Sequence, residues 1–305
     1  VIGLGETLLD IIFKDNKPVE AVPGGSTFNA IVSLGRVGAN AFFVTETGDD
    51  HVGALVRSFL SSNNVCTDYV LERKGWKSPV SLAFLDSDNN ANYTFYRDPN
   101  ADPVDIPLPD INSDDIVLFG SFYAVSPATR ARVIALLERA RDCGAIIYYD
   151  VNFRPSHRGD VMKVTPNLIE NLEFADIVRG SRDDFEVLYK KDSAERVYRA
   201  ETSFYCPRLV YTDGPRPVTV FSDGGFRKEY AMPETPTVST IGAGDNFNAG
   251  LICAMLRYDI RRADIERGLT EAEWSKLIES ATAFSADCCA GIYNYVSKEF
   301  GASHS

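Results

Sequence analysis

Apolar runs of strand length alternate with amphipathic segments along most of the chain. "VIGLG" opens as a buried strand, and "STFNAIVSLGRVG" follows with helical spacing and Gly38 as a C-terminal cap. "AFFVT" reads as the next strand and "HVGALVRSFLSS" as the next helix. The rhythm returns in "DIVLFG" and in "SPATRARVIALLERARDCG", which predicts a helix with Ser126 as N-cap, Pro127 at the first position and Gly144 past the end. "AIIYYD" is another strand, and "TPNLIENLEFA" repeats the cap-and-proline start. Later come the strands "RLVYT", "VTVFS" and "FRKEYAM", then the helix "TEAEWSKLIESATAF" with Thr270 and Glu273 as a capping box. Strands and helices of these lengths predict right-handed crossovers. The expected class is α/β, a mostly parallel sheet with helices on both faces.

Two stretches break the rhythm. "IIFKDNKPVEAV" and the region from Cys66 to Arg97, with "VSLAFL" and "NYTFY", read as strands with no helix between them. They alternate apolar with polar residues, as a small sheet standing off the main layer would. An antiparallel edge extension of the main sheet accounts for them equally. With no internal repeat or low-complexity linker, residues 1–305 are expected to form one domain, with residues 11–22 and 66–97 in the small sheet.

Composition narrows the chemistry. At 305 residues, 45% hydrophobic and 24% charged, the chain is long and apolar enough to bury a large core. Its formal charge of -12 and the lack of a long basic run argue against nucleic acid and anionic membranes as partners. No apolar stretch reaches the ~20 residues a spanning helix needs. The opening residues do not read as a charged-then-apolar leader, and the cysteines (Cys66, Cys143, Cys206, Cys253, Cys288 and Cys289) show no C-x-x-C spacing. Reduced, mostly buried thiols in a cytoplasmic protein are expected. Only three histidines occur, His51, His157 and His304, so histidine metal sites and a Ser-His-Asp triad are poorly supplied. "GLGETL" begins like a dinucleotide fingerprint but has Leu8 in place of the third glycine, and no P-loop occurs.

The richest stretch is "TIGAGDNFNAG", just ahead of the apolar run "LICAML". A helix beginning there leaves the amides of Gly242, Ala243 and Gly244 without intrahelical partners, behind minimal side chains. Such a terminus cradles an anion. Asp245 in the first turn is favoured by the helix dipole, which is one full account of it. The other is chemical: an anion hole and a base within one turn can hold a transferring phosphoryl group and accept a proton from the attacking hydroxyl.

At these residues the chain resembles the ribokinase-like (PfkB) carbohydrate kinases. "GLGETLLD" is similar to the family's first strand and turn, "GGSTFNAIVSLGRVG" to its first signature and "TIGAGDNFNAG" to its second, in the family's order. The resemblance implies Asp10, Gly24, Gly25 and Asn29 at the sugar, Asp245 as the base, residues 242–244 as the anion hole, and the small sheet as a lid. "FYRDPNAD" and "DVNFR" look like fructokinases, with 2-keto-3-deoxygluconate kinases close behind. Arg97 and Arg154 would then reach the sugar, its lid or the transferring phosphate. Solvated surface arginines are the alternative for both, as are a turn Asp and an early-helix Asn for Asp10 and Asn29.

The resemblance also implies ATP with Mg²⁺, and here the chain departs from the family. "SRDD" places Ser181 and Asp184 where Asn and Glu are usual, and Ser239 and Ile241 replace Asp and Thr ahead of "GAGD". In the nucleotide loop "TDGPRP", Thr212 and Gly214 are retained while Pro217 replaces a glycine, and Asp287 stands for Asn in the last helix. Ser181, Asp184, Thr212, Gly214 and Asp287 are expected on the nucleotide side, with Asp184 or Asp150 toward the metal. The implied activity is ATP-dependent phosphorylation of a primary hydroxyl of a small sugar, with fructose first. Keto-deoxy acid, ribose and nucleoside kinases are the rivals within the class, and a sugar-binding regulator with a decayed nucleotide site is the rival outside it. An exposed lid sheet would suit a homodimer.

Overall fold

The computed structural model describes residues 1–85, 91–98 and 104–304. Residues 86–90 of the expected lid segment, and 99–102 of the fructokinase-like stretch, lie outside the described residues. The chain divides into two compact units.

The first unit holds residues 2–109, 235–249 and 283–305. Its elements open with β1 (Ile2–Leu4), β2 (Leu8–Lys14), β3 (Lys17–Gly24), α1 (Ser26–Arg36), β4 (Ala41–Gly48) and α2 (His51–Ser62). They continue with β5 (Val65–Cys66), β6 (Val70–Arg73), β7 (Val80–Leu85) and β8 (Ala91–Tyr96). β4 pairs in parallel with β1, β5 and β6. The small sheet is separate, in the order β3-β2-β7-β8. It therefore draws on residues 8–24, 80–85 and 91–96, while Val70–Arg73, expected in it, is a partner of β4. β2 and β3 form a hairpin because Asp15 and Asn16 take positive φ values of 50° and 59°, the backbone that a two-residue turn needs to match strand twist. α1 buries Phe28, Ile31 and Leu34 completely, and the Phe28 ring meets Phe43 edge-on at 5.8 Å. Each such ring or aliphatic side chain contributes about 1.5–3 kcal/mol by burial.

The second unit holds Val1 and residues 110–234 and 250–282. Here β9 (Ile116–Gly120), α3 (Ser121–Val125), α4 (Arg130–Cys143), β10 (Ile146–Asp150), α5 (Val161–Phe174) and β11 (Ile177–Ser181) follow one another. After them come α6 (Arg182–Tyr189), α7 (Ala194–Val197), β12 (Leu209–Thr212), β13 (Val218–Ser222) and β14 (Phe226–Tyr230). β9 to β12 are parallel neighbours in sequence order, and β13 and β14 extend them antiparallel. Every residue of β9 and β10 is buried, which is why they read as unbroken apolar runs. The remaining helices are α8 (Ala243–Arg257), α9 (Arg262–Arg267), α10 (Glu271–Cys289) and α11 (Lys298–His304). The α/β class stands, with parallel strands alternating with helices. Among the described residues no helix is long and apolar enough to cross a membrane.

Two helix starts differ from expectation. Ser126 closes α3 instead of opening α4: its N–H donates to Phe122 O at 2.9 Å, and the Thr129 hydroxyl donates to Ser126 O at 3.2 Å. Pro127 thus lies in a turn, and α4 begins at Arg130. α5 begins at Val161, four residues before Thr165, because a 3-10 turn over Pro155–Asp160 leads directly into it. Pro166 is left inside the helix, and the Thr165 hydroxyl donates to Val161 O at 2.7 Å.

Candidate active site

In the first unit, the chain reaches α8 through a tight turn that only glycine suits. Gly242 has φ 80°, and a Cβ there would stand 2.6 Å from the Asn294 carbonyl oxygen. Ala243 N–H is committed to Thr240 O at 3.2 Å, while the amides of Gly242 and Gly244 have no acceptor among the described residues. Asp245 follows in the first turn, 5% exposed. Its Oδ1 accepts from Ser26 Oγ and its Oδ2 from Asn29 Nδ2, both at 2.8 Å. The carboxylate is therefore gripped from one turn of α1. Asn29 Oδ1 is buried and has no hydrogen-bond partner, so an acceptor is left for a hydroxyl beside the carboxylate.

Behind this pair the amide of Asn246 is saturated. Nδ2 donates to Gly242 O and Asn294 O, each at 2.8 Å, and Oδ1 accepts from Ser33 Oγ at 2.5 Å and Val296 N–H at 3.2 Å. Cys288 Sγ lies 3.5 Å from both Ile241 O and Tyr293 O, and burial, followed by nearby negative charges, pushes its thiol well up. Ser239 Oγ accepts from Ile241 N–H at 3.2 Å, so this departure from the family serves the turn itself.

Asp10 lies on β2, 7% exposed, where Ser81 Oγ of β7 donates to its Oδ1. Gly24 lets the chain pass close by, since a Cβ there would fall 2.5 Å from Asp10 Oδ2. Gly25, at φ 134° and N-cap of α1, could not carry a side chain past the Glu6 carbonyl oxygen, 2.4 Å from the position of a Cβ. Arg97 is exposed and bonds Glu6 at 2.7 Å, with its guanidinium over the Phe95 ring at 5.5 Å. That joins two strands' ends and leaves Arg97 accessible.

In the second unit, Asp150 ends β10 and is buried against Arg179, whose Nη1 donates to Asp150 Oδ1 at 3.0 Å and whose Nη2 donates to Thr212 Oγ1 at 2.7 Å. Burial pulls the Arg179 guanidinium down, but Asp150 and then Asp184 outweigh it and hold it above its ordinary value. Ser181 and Asp184 form a reciprocal capping box on α6: Asp184 Oδ2 accepts from Ser181 N–H and Oγ, both at 2.7 Å, and Oδ1 accepts from Phe153 N–H at 2.8 Å. Gly214 turns after β12 with φ 56° and open space around it. Arg154 is exposed at the start of the 3-10 turn. Asp287, in the first unit, accepts from Ser297 N–H at 2.6 Å and Ser297 Oγ at 3.0 Å and so fixes the entry to α11.

These engagements bear on the expected metal. Asp184 is committed to a helix cap, Asp150 already has an arginine against it, and no group of three His, Cys, Asp or Glu among the described residues is placed to hold an ion. The residues do not fit a magnesium ion held by the protein. The glycine amides at α8 do fit an anionic phosphoryl group. Several residues that shape the site were not singled out from the sequence. Ser26 and Ser33 are small hydroxyls with ordinary local uses in α1, whereas Asn246 in an apolar helix and Arg179 in an apolar strand carried a signal, since buried polar groups need partners.

A family model described as pfkB family carbohydrate kinase matches residues 3–289. The chain belongs to that family. The kinase is 25% identical over 285 residues to a probable chloroplastic fructokinase-6 of Arabidopsis thaliana, covering 89% of this chain and 74% of that protein. To fructokinase-2 of Solanum habrochaites it is 25% identical over 272 residues, 83% of this chain and 80% of that one. Its fold matches a fructokinase double mutant from Vibrio cholerae O395 in a fructose, ADP and potassium ion bound form, with TM-score 0.84 and 18% identity over 99% and 97% of the two chains. It also matches aminoimidazole riboside kinase from Salmonella enterica complexed with aminoimidazole riboside and an ATP analog, with TM-score 0.83 and 20% identity over 99% of each chain. The protein is a sugar kinase of ribokinase-like fold.

Proposed function

We propose that this kinase transfers the terminal phosphoryl group of ATP to a primary hydroxyl of fructose. The observation that carries the reading is Asp245: a buried carboxylate in the first turn of α8, behind a glycine turn with open amides, beside the unpartnered acceptor of Asn29. Asp245 takes the proton of the attacking hydroxyl, and the Gly242 and Gly244 amides hold the phosphoryl oxygens. Asp10, Asn29 and the backbone at Gly24 and Gly25 hold the other hydroxyls, with Arg97 and Arg154 as the cations that reach substrate. Thr212 and Gly214 serve the nucleotide, and the small sheet that carries Asp10 covers the sugar. The fructose assignment is supported by the fructokinase relatives and by the acceptors at Asp10 and Asn29, which suit a polyol.

ADP release with ATP and Mg²⁺ against fructose, ribose, a keto-deoxy sugar acid and a nucleoside tests the substrate. Fructose should give the highest kcat/KM, and a tenfold advantage for another sugar overturns it. Asp245→Asn keeps the backbone amides but removes the proton acceptor, so single-turnover phosphorylation should fall by roughly 10²–10⁴ while calorimetric binding of sugar and nucleotide persists. A variant that keeps more than about a tenth of the rate would remove Asp245 from the role of base.

A further inference from the structure

Two donors from α1 that grip Asp245 differ in kind. Asn29 Nδ2 offers amide protons in a fixed plane, whereas Ser26 Oγ carries one proton on a rotating bond and can also accept. Ser26 and Asn29 stand three residues apart at the start of α1, so they share a face and address opposite oxygens of one carboxylate. Gly25 makes this possible, because its φ of 134° starts the helix with Ser26 at the first position. A hydrogen bond donated to a carboxylate favours the ionised form and lowers its pKa. Losing one such bond therefore makes the acid a stronger base that is protonated at higher pH.

We infer that Ser26 is a positioning residue that fixes the orientation of Asp245 and sets its basicity; this rests on the reading of Asp245 as the general base. In the reaction the proton leaves the sugar hydroxyl for Asp245 as the sugar oxygen bonds to phosphorus and the bond to the departing ADP breaks. When that proton arrives at Oδ1, the Ser26 hydroxyl turns and accepts it, so the contact survives both protonation states. The Asn29 amide protons cannot do this. Ser26 thus keeps the base ionised before the reaction and in place after it.

Groups on α1 and α10 face Asp245 among the described residues. From α1 these are Ser26 and Asn29, which do not titrate. From α10 comes Cys288, whose thiol burial and the charges of Asp245 and Asp287 push up and away from the acidic range. Beyond it, Tyr295 faces Asp10 and Arg36, and its phenol is likewise pushed up by burial.

The test is kcat/KM against pH for the wild type, Ser26→Ala, Ser26→Thr and Asp245→Asn, with thermal unfolding of each. In Ser26→Ala the acidic limb should move up by about one pH unit, as expected for loss of one hydrogen bond to a charged group. Ser26→Thr, which keeps the hydroxyl, should restore the wild-type limb. An unmoved limb in Ser26→Ala, with Asp245→Asn inactive, overturns the role of Ser26 alone. Full activity in Asp245→Asn overturns the base reading and this inference with it. Should the alanine variant fail to fold, Ser26→Cys reads the same quantity: its weak thiol donor should move the limb in the same direction, and an unmoved limb overturns the inference.

Discussion

Asn246 shows how much of this site rests on a neutral side chain. Its four hydrogen bonds join α1, the glycine turn before α8 and the segment from Asn294 to Val296, and the residue is fully buried. Asn246→Ala would strand the Asn294 carbonyl and the Ser33 hydroxyl proton away from water, while Gly242 O keeps the Asn246 backbone N–H and Val296 N–H keeps Ser33 Oγ. Each such group costs about 1–3 kcal/mol when left unmade, so a loss of at least about 2 kcal/mol should appear as a lower denaturant midpoint at unchanged slope. A midpoint within experimental error of the wild type would show that the network carries no stability. The residue scale is also where the sequence was most and least informative. Asp245 stood out behind its glycine turn, Asp10 and Asn29 were expected at the sugar through the family resemblance, and the structure brings Asn29 and Asp245 together. Ser26 was not legible, since a serine at a helix start has an ordinary local use and nothing in its neighbours announces a contact with a residue 219 positions away.

Capping boxes explain both a success and an ambiguity among the elements. Thr270 and Glu273 were read as a box at the start of α10, and the structure has it: Glu273 Oε2 accepts from Thr270 N–H and Oγ1, both at 2.7 Å, and Glu273 N–H donates to Thr270 Oγ1 at 3.3 Å. Ser181 and Asp184 form the same device on α6, yet their place in the family pattern drew them toward the nucleotide and metal. The pattern of a hydroxyl followed three residues on by an acid cannot by itself say whether the acid faces its own helix or a ligand. The serine-proline pair ahead of α4 and the threonine-proline pair inside α5 misled in a related way, because a short helix occupied the residues before Pro127 and a 3-10 turn started α5 four residues before Thr165. Thr270→Ala should cost about 0.5–2 kcal/mol of stability, measured by denaturant unfolding at neutral pH. The backbone bond from Thr270 is the leading cause that holds the Glu273 carboxyl below its ordinary value. A depressed carboxylate stabilises the fold above its unfolded pKa and loses that contribution as pH falls through the folded one. The gap between wild type and Glu273→Gln should therefore be present at pH 7 and close below about pH 4. A gap that widens on acidification would mean that Glu273 acts through something other than the cap.

Across the whole molecule the thiols offer a check that owes nothing to activity. The alternation of strands and helices made the α/β class legible, and the scattered cysteines were read as reduced and mostly buried. The structure keeps all six free: Cys206, Cys253 and Cys288 are buried, Cys66 and Cys289 are intermediate, and Cys143 alone is exposed. Thiolate, not thiol, attacks a labelling reagent, so accessibility and pKa act together. Burial, the largest cause, pushes the Cys206 thiol up to about 12, and it raises Cys253 and Cys288 as well. At pH 8 the Cys206 thiolate is then a fraction of about 10⁻⁴ of the total even before access is considered. A disulfide-exchange reagent should therefore label Cys143 of the native protein in a fast phase, Cys66 and Cys289 more slowly, and the three buried thiols only on unfolding. Denaturant should bring all six into the fast phase. Reductant should leave the melting temperature unchanged, because no crosslink constrains the unfolded chain. Fast labelling of Cys206 or Cys288 in the native protein would mean that the strands around Cys206, or the turn beside Asp245, open far more often than packing of this density allows.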